Sequence, residues 1–205
     1  MTLSVHAGDY SIEVDGQPLM SSRAPGSERA LARLAAGELS GNPRPRVLIG
    51  GLGLGFTLGA ALDALPGGAR IVVVEYFGTI VDWNRKFGFE SAADRLADPR
   101  VRVEVTDVVD YLRSVREPFD AILLDVDNGP DAWTLASNDR LYDLPGLRRT
   151  RQALRPGGLL AVWSARPSSP FEKRLLAAGF TTRTETARSR EHRGEHHTIF
   201  LAFKQ

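Results

Sequence analysis

Hydrophobic and polar positions along the chain follow two different rhythms. Residues 10–14 (YSIEV) alternate and run into Asp15-Gly16, the signature of a strand entering a hairpin. Over 26–39 the spacing lengthens to that of a helix, with Ala30, Leu31, Leu34, Ala35 and Leu39 on one face and Ser27 placed as its N-cap. The stretch GNPRPR (41–46) then breaks the pattern. Beyond it come short apolar runs at 46–50 (RVLIG), 70–75 (RIVVVE), 101–105 (VRVEV), 120–125 (DAILLD) and 159–164 (LLAVWS). Helical segments are expected between them, at 55–64, 78–87, 107–115 and 144–154. Brief runs of Val, Ile and Leu separated by helices predict a parallel sheet covered on both faces. The last apolar segments, 180–186 and 198–203, have no helix between them and predict an antiparallel hairpin at the sheet edge.

These elements predict an α/β fold with a Rossmann-like, mostly parallel seven-stranded sheet that ends in an antiparallel hairpin. That arrangement is similar to the class I methyltransferase fold. Residues 1–45 are expected to form a short N-terminal extension of hairpin and helix, and 46–205 the nucleoside-binding catalytic domain.

Composition narrows the function. The 205 residues suit one domain, and 42% hydrophobic residues supply its core. Lys+Arg 26 against Asp+Glu 25 leaves a net charge of +1, which favours neither nucleic acid nor an anionic membrane. With Cys 0 there is no disulfide, thiolate metal site or cysteine nucleophile, as is typical of a reducing compartment. No apolar run approaches the roughly 20 residues of a membrane span. The opening MTLSVHAGDYSIEVDG lacks the basic and apolar regions of a leader. A cytoplasmic protein without membrane contact is expected.

Ligands of open α/β sheets bind beyond the carboxyl ends of the strands. After the first parallel strand stands Gly50-Gly51-Leu52-Gly53-Leu54-Gly55, a turn whose glycines let a ligand approach the backbone. The next strand ends in Glu75, twenty residues beyond Gly55, the spacing of a carboxylate that accepts from ribose hydroxyls. Gly51, Gly53, Leu54, Gly55 and Glu75 are therefore candidate nucleoside contacts. Phe56 crowds the place a pyrophosphate would take, which disfavours a dinucleotide. Asp107, followed by Val108, either caps a helix or accepts from an adenine amino group. The fourth strand ends in Asp125, and Asp127, Asn128 and Asp131 follow within a turn-forming stretch. Acids this crowded either share protons or attract a cation.

In order and spacing these residues resemble the spermidine synthase (aminopropyltransferase) family, from about Val47 to Pro156. Val47-Leu48-Ile49 with the glycine turn, Val74-Glu75, Asp98-Pro99-Arg100-Val101, Asp107, Phe119-Asp120 through Asp125, Leu141-Tyr142 and Leu154-Arg155-Pro156-Gly157-Gly158 follow the family's sequence of motifs. The resemblance implies S-adenosylmethionine or its decarboxylated form as co-substrate, no metal, and a small-molecule amine or polyamine as acceptor. It makes Asp125 the catalytic base with Asp127 beside it, and gives Asp127, Asn128, Asp131 and Tyr142 to the acceptor. A homodimer is one option for assembly.

The sequence also departs from the family. Leu54 falls where the family carries an aspartate that pairs the donor's amine and repels a carboxylate. Asn128 replaces the second acid of the catalytic loop. The family's Tyr-His-Glu stretch is reduced to Gly26-Ser27-Glu28. Methyl transfer to an unknown small molecule and non-catalytic nucleoside binding therefore stand as alternatives. The arginines at 148, 149, 151, 155 and within 183–193 read as a solvated face, with no aromatic in 181–195 to stack a base. His192, His196 and His197 lack acids in a fixed pattern and read as a hairpin loop, not a metal site.

Overall fold

The computed structural model describes residues 1–14, 16–89, 95–126, 129–130, 139–190 and 193–205. Asp127, Asn128, Asp131 and His192 lie outside them.

Three strands open the chain: β1 (Thr2–His6), β2 (Asp9–Val14) and β3 (Gln17–Ser21), paired antiparallel in that order. The first turn is built by Ala7 and Gly8, both at positive φ, as a tight hairpin between twisted strands requires. β2 and β3 pair from Val14 to Gln17, with Gly16 at positive φ; Asp15 lies outside the described residues.

Helix α1 (Gly26–Glu38) follows. Its N-cap is Pro25 and not Ser27. Ser27 sits two residues further in, buried, with its hydroxyl donating to Glu28 Oε2 at 2.7 Å.

The main sheet uses β4 (Arg46–Gly50), β5 (Arg70–Glu75), β6 (Val101–Val105), β7 (Phe119–Leu124), β8 (Leu154–Ser164), β9 (Phe180–Arg190) and β10 (Arg193–Lys204). Their order is β6-β5-β4-β7-β8-β10-β9. The first five run parallel, and β10 and β9 close the edge antiparallel. The seven-stranded Rossmann-like sheet and its terminal hairpin are thus as expected, with β8 starting at Leu154, five residues earlier than its apolar run. His196 and His197 lie in strand β10, opposite Arg188 and Ala187, and not in a loop, because the hairpin's pairing continues well past the apolar segments.

Side chains alternate between two cores, as the period of a strand dictates. Val47, Ile49, Ile71, Val73, Ala121 and Leu123 face α1, α2 (Phe56–Ala64) and α3 (Gly78–Phe87). Leu48, Val72, Val74, Ile122 and Leu124 face α4 (Val108–Ser114), the short α5 (Asp139–Tyr142), α6 (Leu144–Ala153) and α7 (Ser169–Ala177). Helix α1 lies across β7, β8 and β9 and beside α2, so it shares the first core. Its start presses on β9: a β-carbon at Gly26 would stand 2.6 Å from the Arg188 carbonyl oxygen. Among the described residues no helix is long and apolar enough to cross a membrane.

Candidate active site

The sheet order sets the site. Asp107, Glu75, the glycine turn and Asp125 follow β6, β5, β4 and β7, which are neighbours in that sequence. Strands lie about 4.8 Å apart, so these groups span roughly 14–15 Å along the carboxyl edge. A cleft of about 660 Å³ opens there, within the usual range for a small-molecule site of about 300–1,000 Å³. Gly51, Gly53, Leu54, Glu75, Asp107, Val108 and Asp125 all line it.

Close approach dictates the turn. Gly51 has φ +90°, and a β-carbon there would collide with the Asp125 carbonyl oxygen. The Asp125 amide also donates to the Gly50 carbonyl at 2.9 Å, holding the ends of β4 and β7 together. Met20 of β3 reaches over Gly53, so the N-terminal sheet supplies part of the wall. Asn84, fully buried in α3, donates to the Gly53 carbonyl at 2.7 Å and fixes the turn from behind. Gly55 is the N-cap of α2 at φ 84° and is not a lining residue.

Glu75 is 5% exposed. Its Oε2 accepts from the Leu52 amide at 2.9 Å and its Oε1 from the Phe77 amide at 2.8 Å. Burial pushes its pKa up, and these backbone N–H groups oppose the rise. Each oxygen keeps a further lone pair for a ligand hydroxyl. Asp107 takes the capping role: its Oδ1 accepts from the Val109 amide at 2.7 Å, while its Oδ2 lies 3.8 Å from Arg140.

Asp125 stands partly open to the cleft. Its Oδ2 accepts from the Thr57 hydroxyl. Burial, with repulsion from Glu28 as the next cause, raises its pKa to about 7 against the Thr57 hydrogen bond. A carboxyl group with that value can take a proton at neutral pH.

Besides Gly55, two placements differ from the expected set. Tyr142 is not a lining residue; its ring is buried against Phe171, 5.6 Å between centroids, because α5 turns it into the second core. Leu54 lines the cleft but is only 1% exposed, since most of its side chain joins the first core. Glu28, Trp163, Arg190, Glu195 and His197 also line the cleft, and no sequence motif assigns them to it. Trp163 carries a readable signal, since it closes an apolar run at the same sheet edge as Asp125. The others come to the cleft only through tertiary packing of α1 and of the β9–β10 hairpin.

The profile of the spermine/spermidine synthase domain matches residues 29–179. A polyamine aminopropyltransferase of Mycobacterium tuberculosis is 35% identical over 128 residues, which is 60% of this chain and 23% of that protein. The chain spans less than half the length of the curated relatives it matches. Spermidine synthase from Thermotoga maritima superposes with TM-score 0.76 at 18% identity, covering 96% of this chain and 66% of that one. The O-methyltransferase TomG from Streptomyces achromogenes, solved in complex with SAM, gives TM-score 0.60 at 20% identity, covering 87% of this chain and 79% of that one. These structural likenesses establish the shared fold.

Proposed function

Because the chain belongs to the spermine/spermidine synthase family, we propose that it transfers an alkyl group from an adenosyl sulfonium to an amine. The observation that carries the reading is Asp125, held by Thr57 in the same cleft as Glu75 and tuned to about 7.

In this reading Glu75 accepts from the ribose hydroxyls, Asp107 with Val108 lies at the adenine, and the glycine turn admits the nucleoside to the backbone. A bound sulfonium supplies the leaving group: as the amine's N–C bond forms the C–S bond breaks, and its electron pair stays on sulfur. Asp125 takes the proton that the cationic amine must lose, and proximity supplies much of the remaining acceleration. By the family resemblance Asp127, Asn128 and Asp131, outside the described residues, are assigned to the acceptor. Residues 46–205 carry the reaction, and 1–45 contribute a wall through Met20 and Glu28. The compartment is cytosolic, in keeping with a cysteine-free chain.

The donor is decarboxylated S-adenosylmethionine by family, with aminopropyl as the transferred group. One observation favours a second reading, methyl transfer from S-adenosylmethionine: the apolar Leu54 has no charge with which to repel the donor's carboxylate. Incubation with each donor and an amine, followed by mass spectrometry, distinguishes them. Methylthioadenosine marks aminopropyl transfer, and S-adenosylhomocysteine marks methyl transfer. Tight nucleoside binding without either product would overturn both in favour of a binding protein.

A further inference from the structure

Thr57 stands between two acidic residues that line the cleft. Its hydroxyl donates to Asp125 Oδ2 and lies 3.3 Å from the carbonyl oxygen of Glu28. Having one proton to give, it serves the nearer acceptor, Asp125. Glu28, in the first turn of α1, is held in place by its neighbours. Its Oε2 accepts from the fully buried Ser27 hydroxyl at 2.7 Å, and Gly26 seats the helix start against the backbone of Arg188 and Ser189.

The remaining charged or titratable groups lining the cleft are Glu75 and Tyr76 at the end of β5, Asp107 after β6, and Arg190, Glu195 and His197 on the hairpin. Among the described residues Glu28 is the one whose charge opposes ionisation of Asp125, and no cation offsets it there. Like charges this close resist ionising together, so near neutral pH a proton stays on the pair. A cation reverses the balance. Beside an ammonium both carboxylates ionise more readily, and the held proton leaves to solvent.

Resting on the proposed alkyl transfer to an amine, we infer that Glu28 is a positioning residue that acts through Asp125: the two carboxylates hold one proton before the acceptor arrives and exchange it for the acceptor's ammonium. The exchange leaves Asp125 ionised when it is needed as a base. The ammonium then gives a proton to Asp125 as its nitrogen bonds to the donor carbon. One proton thus goes to solvent on binding and one to Asp125 on transfer, and a cationic acceptor prepares its own base.

Carbon-13 NMR of protein labelled at its aspartate carboxyl groups follows the proton directly, with the Asp125 signal assigned by its loss in Asp125→Asn. In wild-type protein this signal is expected to titrate near neutral pH. Glu28→Gln should move its midpoint toward acid by at least about half a pH unit, because a like charge has been removed. Gln keeps the side chain's length and an oxygen for Ser27, and methylthioadenosine affinity within a few fold of wild type shows that the cleft is intact. Glu28→Asp, which keeps the charge, should restore most of the wild-type midpoint. Adding 1,4-diaminobutane near neutral pH should drive the wild-type signal to its ionised position. A midpoint that Glu28→Gln leaves in place overturns the inference. So does a wild-type signal that the diamine does not move, whether the diamine stays off the site or binds without displacing the proton. Product formation is assayed separately with each donor: product with an unmoved midpoint leaves the proposed transfer standing, and a moved midpoint without product sinks the transfer alone.

Discussion

Thr57, the second residue of α2, donates its hydroxyl hydrogen bond to Oδ2 of Asp125 at the end of β7. The bond joins the helix that follows the glycine turn to the carboxylate that ends the neighbouring strand. It is the described side-chain contact that opposes the rise of the Asp125 pKa.

Thr57→Val keeps the shape of the side chain and removes this bond. Asp125 should then titrate above its present value of about 7. As the base must be ionised, the acidic limb of the pH–rate profile should move toward alkaline pH by about one unit, since a hydrogen bond to a charged group contributes about 1.5 kcal/mol. Thr57→Ser should restore the wild-type profile. An unmoved limb in a folded Thr57→Val protein would separate Asp125 from the rate-controlling proton transfer.

Asp125→Asn should lower turnover by about 100- to 10,000-fold, the usual cost of removing a general base, while methylthioadenosine affinity stays within a few fold. The same variant carries a stability signature. A carboxyl raised to about 7 keeps its proton in the native state across a range where the unfolded chain has lost it. Stability contributed in this way falls as pH rises from about 4 to about 7, by at most about 4 kcal/mol and less where water enters the cleft. Urea denaturation should therefore find Asp125→Asn more stable than wild type at pH 8, with the gap closing toward pH 4. A gap independent of pH would refute the assigned shift.

The parallel strands were legible because burial on both faces leaves unbroken apolar runs such as 47–49 and 71–74. Their carboxyl ends then pointed to Glu75, Asp107 and Asp125 without further knowledge. Helix α7 left a readable signal that periodicity alone passed over. Ser168 caps it by accepting from the Phe171 amide, Pro170 stands in its first turn, and Phe171 and Leu175 form its short apolar face. Glu28 and Arg190 left none. Glu28 reaches Asp125 because Gly26 lets α1 rest on the backbone of β9. Arg190 reaches the cleft because β10 pairs between β8 and β9 and carries the hairpin end over it. Both depend on tertiary contacts that no local pattern encodes, the first between Gly26 and Arg188, far apart in sequence.

Glu75 both braces the turn and is assigned to the ribose, so two variants separate its roles. Glu75→Ala strands the Leu52 and Phe77 amides and should lower both stability and nucleoside affinity. Glu75→Gln keeps one acceptor oxygen and should stay folded. It should still weaken methylthioadenosine by about 1–3 kcal/mol, because charged hydrogen bonds exceed neutral ones. Calorimetry that finds full affinity in Glu75→Gln would move the ribose contact elsewhere.

Donor choice should follow Leu54. A pocket selective for the decarboxylated donor needs an acid near the donor's amine, to pair it and to repel the carboxylate of S-adenosylmethionine. Leu54 provides neither, and at 1% exposure it offers the cleft an apolar edge while the rest of the side chain packs in the core. Wild-type protein should therefore bind S-adenosylmethionine at least as tightly as its decarboxylated form. Leu54→Asp should swing the preference toward the decarboxylated donor by roughly 1–3 kcal/mol, the scale of a partly buried charge pair gained or opposed. The same substitution places a carboxylate against apolar neighbours and will lower stability, so Leu54→Asn is the matched control for folding: it is polar but uncharged. A swing in Leu54→Asp that Leu54→Asn does not share assigns donor selection to charge at this position. A strong wild-type preference for the decarboxylated donor would overturn that assignment, because some other acid would then have to supply the repulsion.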